Sequence, residues 1–252
     1  MVFRYLFCLC IAVLFSAPAF AQTQIHGSTS FKAAVFQSDI IDGLPTKASY
    51  EVYSSSSGRG LMALHQGKAD IAMISANIHS LANAIKSEGV DFNVDDYIVH
   101  NIAETQVMFV VHPDNPISEI THAQLQSLLL GQTSEWKNIS NDIPLGGVRL
   151  ITEHPTGGIY NTVKIGVLND QNLSENKTVM QNAPQVAIVV AQLPEAFGFL
   201  AGSLSDNLKK RVKILSISDA QIPSLTLSLV TKKDDTRQAV SDVVQHIKNA
   251  VQ

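Results

Sequence analysis

The chain has 252 residues, with 18 Lys plus Arg against 22 Asp plus Glu, a formal net charge of −4 and 6% aromatic residues. No basic block is present, which excludes non-specific nucleic-acid binding, and the length and 45% hydrophobic content suffice for one large domain or two small lobes with real cores. Both cysteines, Cys8 and Cys10, lie in the first segment, so thiol chemistry is excluded for everything after it.

That first segment, residues 1–21, reads as a signal peptide. Arg4 precedes the short apolar run LFCLCIAVLF, and Ala19-Phe20-Ala21 is an A-x-A cleavage site. The run is too short to span a bilayer, and no later stretch is long and apolar enough to do so. Cleavage after Ala21 is expected, leaving a periplasmic or secreted chain that starts at Gln22. Its charge is about −5, since Arg4 is the one charge removed.

Ile25 to Phe36 follows. Gly27-Ser28-Thr29-Ser30 reads as a loop leading into a helix whose apolar face includes Phe31, Ala34 and Val35. Between Lys47 and Ser75 the chain reads as strand, turn, helix and strand. Ala48, Tyr50 and Val52 alternate with Ser49, Glu51 and Tyr53, and Ser54 to Gly60 is a run of turn formers in which Gly58 and Gly60 could take positive φ. Leu61, Met62 and Leu64 give a short helical face, Gly67 suits the position beyond its end, and IAMI follows Asp70 as a strand. Taken alone, this reads first as an ordinary capped βαβ unit.

Residues 76–86 are expected to be helical, 89–96 a polar connection, and QVMFVVH at 106–112 a strand stopped by Pro113-Asp114-Asn115-Pro116. Thr121 and Gln124 have capping-box spacing ahead of Leu125, Leu128 and Leu129, and Trp136 is read as a packing residue. Val148 to Thr152 is a strand candidate that runs into Glu153-His154-Pro155-Thr156-Gly157-Gly158, with a helix from Tyr160 to Leu168. Residues 170–182 are polar and expected to be exposed. A helix at 184–192, strands at 196–201 and 225–231, and a final helix with Val240, Val243, Val244, Ile247 and Val251 on one face complete the chain. Strands alternating with helices predict an α/β architecture with largely parallel sheets.

Three hydroxyl- or glycine-rich turns therefore stand at helix entrances, where unpaired N–H groups and the positive end of the helix dipole suit an anion. Catalysis finds little support. None of the eight histidines is paired at metal-ligand spacing, there is no H-E-x-x-H, P-loop or G-x-S-x-G, and Ser54–Ser57 has no base partner in sequence. No enzyme activity, catalytic residue, metal or cofactor is expected.

The order of these segments resembles the periplasmic phosphate-binding proteins that serve ABC transporters, over nearly all of the chain after the signal peptide. IHGSTSFKAAVF is similar to the family's opening Gly-Ser/Ala-Thr-Ser/Thr-Phe segment, and YEVYSSSSGRGLMALHQGKADIAMIS to its serine turn, helix and Ala-Asp strand. VVHPDNPISEITHAQLQSLLLGQTSEWKNI resembles its Val-Val-Asn-Pro strand, Leu-rich helix and Gly-x-x-x-x-Trp element. VRLITEHPTGGIYNTV stands in the place of its anion loop, and AFGFLA where the family has Ala-Ile-Gly-Tyr.

The resemblance implies a type II periplasmic-binding-protein-like fold, with two α/β lobes joined by a two-strand hinge around a ligand cleft. Lobe 1 would comprise residues 22–104 plus 203–252 and lobe 2 residues 105–202, with crossings near 102–106 and 201–205. It implies capture of phosphate or a related oxyanion for an ABC transporter permease by a protein that is a monomer. Ligands would be Ser30, Phe31 through its N–H, Ser57 and Ser75 from the first lobe, and Thr156, Gly157 and Gly158 from the second.

Two departures qualify the ligand. Thr152 falls where the family's second-lobe loop begins with Arg, so the bidentate cation is missing from its place, with Arg59 and His154 as nearby substitutes. Ser75 replaces an acceptor that would favour a protonated oxyanion. A different anion (molybdate, sulfate or a small organic anion) stays open, as does a sensor or secreted interaction protein that no longer binds phosphate.

Overall fold

The computed structural model describes residues 22–36, 50–141 and 144–251. The expected signal peptide and the first residues of the Lys47–Ser75 unit lie outside the described residues.

Among the described residues ten strands form one sheet, eight of them in a continuous path. They are β1 (Thr23–Ser28), β2 (Tyr50–Ser55), β3 (Ile71–Ile74), β4 (Tyr97–Val111), β5 (Glu119–Ile120), β6 (Arg149–Glu153), β7 (Lys177–Met180), β8 (Ala196–Ala201), β9 (Lys213–Ile217) and β10 (Ser224–Lys232). Their order is β2-β1-β3-β10-β4-β8-β6-β7, with β9 against β4 and β5. The helices are α1 (Thr29–Val35), α2 (Ser57–His65), α3 (Ile78–Ser87), α4 (His122–Leu129), α5 (Gly158–Gly166), α6 (Ala183–Val190), α7 (Asp206–Lys209) and α8 (Gln238–Val251).

The first half of the sheet is a three-layer sandwich, and β3 shows why. Ile71 and Met73 pack with Phe31, Leu229 and the Val240–Val244–Ile247 stripe of α8, whereas Ala72 and Ile74 face Leu61, Leu64 and Leu81 of α2 and α3. Side chains on a strand alternate between faces, so a strand covered on both faces reads as the unbroken apolar run IAMI. The second half, built on β4, β8, β6 and β7, has one core around Phe109, Trp136, Phe197 and Phe199. Trp136 is fully buried and its indole N–H donates to the Glu195 carbonyl at 3.0 Å, the packing role expected of it. Thr121 and Gln124 close the expected capping box on α4.

β4 joins the halves. Its residues 97–106 pair antiparallel with β10, and residues 107–111 pair with β8, so one unbroken strand crosses between them. The return crossing differs from expectation. Residues 203–217 belong with the second half: β9 pairs with Phe109–Val111, and Leu204, Val212 and Leu215 lie in the second core. The chain therefore recrosses between Ile217 and Ser224, not at 201–205. The KILSI strand hides its role because Leu215 is its one buried side chain, while Ile214 is exposed.

Other differences have local causes. The segment read as a loop at Gly27–Ser28 is the end of β1, which lies centrally between β2 and β3. Within 170–182, read as exposed connection, β7 forms an edge strand that leaves Val179 exposed. Gly58 and Gly60 are not in positive-φ turns; both lie inside α2, where they permit close approach. A Cβ on Gly60 would stand 2.6 Å from Gly27 Cα, so this pair lets α2 rest on β1. Gly67, at φ +70°, does end its helix as expected.

Candidate functional site

Strands β2, β1 and β3 run parallel, so their carboxyl ends share one edge of the sheet, the usual place for a ligand in such sheets. At that edge Ser28 ends β1, Ser57 opens α2 two residues beyond β2, and Ser75 follows β3. The Ser28 hydroxyl donates to Ser75 Oγ at 3.0 Å, and Ser57 Oγ lies 3.2 Å from Ser75 Oγ. Ser57 Oγ also accepts the Ser75 N–H at 3.0 Å, and Ser28 Oγ accepts the Phe31 N–H at 3.1 Å as the cap of α1. All three serines are 3% exposed or less, so this is a buried cluster of neutral donors and acceptors.

The facing wall comes from the second half of the sheet. β6 ends at Glu153, residues 154–157 turn, and α5 begins at Gly158. The Glu153 carboxylate folds back onto the helix it precedes. Its Oε1 accepts the N–H groups of Ile159 at 2.8 Å and Tyr160 at 3.1 Å, two of the donors that a helix's first turn leaves without intrahelical partners. Gly157 lies against this carboxylate so closely that a Cβ there would collide with it. Glu153 is 5% exposed, and burial pushes its carboxyl up to about 7 against the pull of those two amides. Thr152 beside it is fully buried, and its hydroxyl has no hydrogen-bond partner among the described residues.

The turn is held from within. His154 Nδ1 lies 2.9 Å from Thr156 Oγ1 and accepts the Thr156 N–H at 3.3 Å, while Asn161 Nδ2 donates to the carbonyls of Pro155 and Gly157. Gly157 N–H donates to the His154 carbonyl at 2.7 Å.

The two walls touch. Gly58 N–H donates to the Thr156 carbonyl at 3.0 Å, and a Cβ on Gly58 would stand 2.5 Å from Thr156 Cβ. A Cβ on Gly158 would press into Ser75 Oγ and approach Ser57 Oγ at 2.7 Å. A third link, nearer the crossing strand, is Ser203 Oγ donating to the Ser30 carbonyl at 2.9 Å. On either side the halves part around cavities of about 380 Å³ beside α1 and about 240 Å³ between α3 and α5.

Of the residues singled out in sequence, Ser57, Ser75, Thr156, Gly157 and Gly158 come together here. Ser30 and Phe31 stand beside the cluster, but Ser28 takes the Phe31 N–H and Ser30 shows its carbonyl in the link to Ser203. Arg59 is exposed at the start of α2, and its backbone N–H donates to Ser56 Oγ. His154 serves the turn, and its Nδ1 lies 4.0 Å from Glu88 Oε1. Asp70 is structural: it accepts from Gln24 N–H at 2.8 Å and from Arg237 at 2.6 Å, tying β1 and the start of α8 to β3. Sequence reasoning missed Ser28 and Glu153. Ser28 stands in the N-cap position directly before α1, and Glu153 is an acid ending a strand that precedes a glycine-opened helix, both of which carry a readable signal.

Among the described residues no group of three or more His, Cys, Asp or Glu side chains could hold a metal ion, and no helix is long and apolar enough to cross a membrane. The chemistry available is hydrogen bonding from serine and threonine hydroxyls and backbone amides, beside one buried carboxyl group.

Known proteins give the same architecture. Over 124 residues the chain is 23% identical to the phosphate-binding protein PstS of Staphylococcus epidermidis, a stretch that covers 49% of this chain and 38% of that protein. A candidate phosphate ABC transporter substrate-binding protein from Clostridium perfringens, solved with bound phosphate, superposes with a TM-score of 0.67 at 16% identity, over 90% of this chain and 92% of that one. An ABC-type phosphate transport receptor from Vibrio cholerae gives 0.58 at 19% identity over 90% and 93%. The effector-binding domain of QuiR in complex with shikimate gives 0.62 at 12% identity over 91% and 96%, so the fold by itself does not choose a ligand. The family model of the PBP superfamily domain matches residues 16–241, and with a strand that crosses between two halves and a hydroxyl cluster at the carboxyl ends of the strands, the chain belongs to that superfamily.

Proposed function

We propose that this protein is an extracytoplasmic receptor that holds a small oxyanion, phosphate first, between its two lobes and presents it to an ABC transporter permease. The observation that carries the reading is the convergence of Ser28, Ser57 and Ser75 from three parallel strand ends on the entrance of α5. An oxyanion in that position would replace hydroxyl–hydroxyl bonds by hydroxyl–anion bonds, each contributing roughly 1.5–3 kcal/mol. The partial similarity to a phosphate-binding protein and the signal-peptide pattern support both the ligand class and the location.

Titration calorimetry and thermal melting of the chain from Gln22 against phosphate, arsenate, sulfate and molybdate test it. A bound ligand at one hundred times its dissociation constant stabilises by about 2.7 kcal/mol. No heat and no stabilisation from any of the four would overturn the reading. That outcome would favour a receptor-fold protein engaged by another macromolecule, a reading to which the direct Gly58–Thr156 bond between the walls also lends support.

A further inference from the structure

We propose that Glu153 decides which ligand charge the site accepts: its carboxylate already serves as the anion at the entrance of α5, so an oxyanion enters only together with one proton, carried by the ligand or taken up by Glu153 from solvent. This inference rests on the oxyanion reading above. The amides of Ile159 and Tyr160 are engaged by Glu153 Oε1 at 2.8 and 3.1 Å, and Gly157 closes over the carboxylate. The helix entrance that would attract a ligand's charge is thus compensated from within.

No Lys or Arg side chain bonds to the serine cluster or to the α5 entrance among the described residues, and the place of the expected arginine is taken by Thr152. A doubly charged ligand would therefore meet a buried negative carboxylate with no cation between them. Like charges at close range in a buried setting repel strongly, and protonation of one of them is the usual relief. Burial, against the pull of the two amides, already lifts the Glu153 carboxyl to about 7, so the proton is available at ordinary pH.

The other groups near it do not offer that relief. His154, next in the chain, directs Nδ1 to Thr156 and lies 4.0 Å from Glu88. The Tyr160 phenol is pushed further above its ordinary range by burial and by Glu175. Thr152 is neutral.

Sulfate stays a dianion from pH 6 to 9, so its binding reports the protein's proton and not its own. Sulfate and phosphate are titrated into the wild type and Glu153→Gln at pH 6, 7 and 8, in buffers of different ionisation enthalpy. For the wild type, sulfate binding should weaken about fivefold from pH 7 to pH 8, with proton uptake rising from about one half at pH 7 to about one at pH 8. In Glu153→Gln it should be independent of pH and tighter than wild type at pH 8. Equal affinity in both proteins with no proton uptake by the wild type would overturn the role of Glu153 while leaving the oxyanion reading intact. No binding of either anion to either folded protein would overturn both. The proton count on the wild type decides the matter even if the variant fails to fold.

Discussion

The serine wall and the α5 wall meet at one point but satisfy their polar groups by opposite means. On the first, Ser28, Ser57 and Ser75 bond one another through hydroxyls that can each donate or accept. On the second, a carboxylate that can only accept engages two helix amides from a position 5% exposed to solvent. A hydroxyl trades partners by rotating about one bond, whereas the carboxylate changes role only by gaining a proton. The first wall can therefore exchange bonding partners at constant charge, and the second only by changing its charge.

The largest effect expected of this contrast is on stability against pH. In the folded protein Glu153 keeps its proton up to about 7, against an ordinary 4.5, so between those values the native state binds more protons than the unfolded chain. Stability from this group is present below 4.5, falls as pH rises towards 7 and levels off above it, a loss on the order of 3 kcal/mol. Glu153→Gln should remove that slope, read as the difference between the denaturation midpoints of the two proteins at pH 5, 6, 7 and 8. Parallel curves would mean that the second wall is no different in kind from the first.

Forcing the walls apart is the next test. Gly158→Val would push a side chain into Ser57 and Ser75, with an overpacking cost of about 1–3 kcal/mol if the halves stay together. Relief by separation should enlarge the radius of gyration in small-angle scattering and weaken oxyanion binding by about tenfold to a hundredfold. Scattering and affinity both unchanged would show that the contact does not persist in solution.

Within the first wall the effect should be smaller. Ser57→Ala leaves the buried Ser75 N–H without its acceptor and should destabilise by about 1–2 kcal/mol, and Ser28→Ala uncaps α1 for about 1 kcal/mol. Urea denaturation measures both, and the oxyanion affinity of Ser57→Ala should fall about tenfold. The smallest effect belongs to Arg59→Ala. With its side chain exposed, the substitution should change affinity by less than about twofold, and a larger loss would restore a cation to the first wall.

These contrasts were only half legible in the sequence. IAMI and AFGFLA announce strands covered on both faces, and the Val240–Val243–Val244–Ile247 stripe announces α8, because burial on this scale leaves an unbroken or periodic apolar pattern. β9 and β7 leave no such pattern, since each lies where one or both faces meet solvent, and missing β9 misplaced the return crossing. At the site, hydroxyl-rich helix entrances marked the regions, and the family resemblance selected Ser57, Ser75 and Thr156. They could not show that Gly58 and Gly158 are small because a neighbouring wall touches them, for that reason lies about a hundred residues away along the chain. Nor could they show the carboxylate turned back on its own helix, because an acid at a strand end reads as solvated until its burial is known.

The place of β10 in the sheet bears on how the chain acquires its fold. Residues 224–232 insert between β3 and β4, and their partners lie more than a hundred residues earlier. Until that strand exists, the β2-β1-β3 ribbon has an open edge and the long crossing strand has nothing to pair with along residues 97–106. The first lobe, though its chain begins first, must therefore be completed last. The second needs nothing after Leu225 for its core, so it can assemble while the other is still waiting.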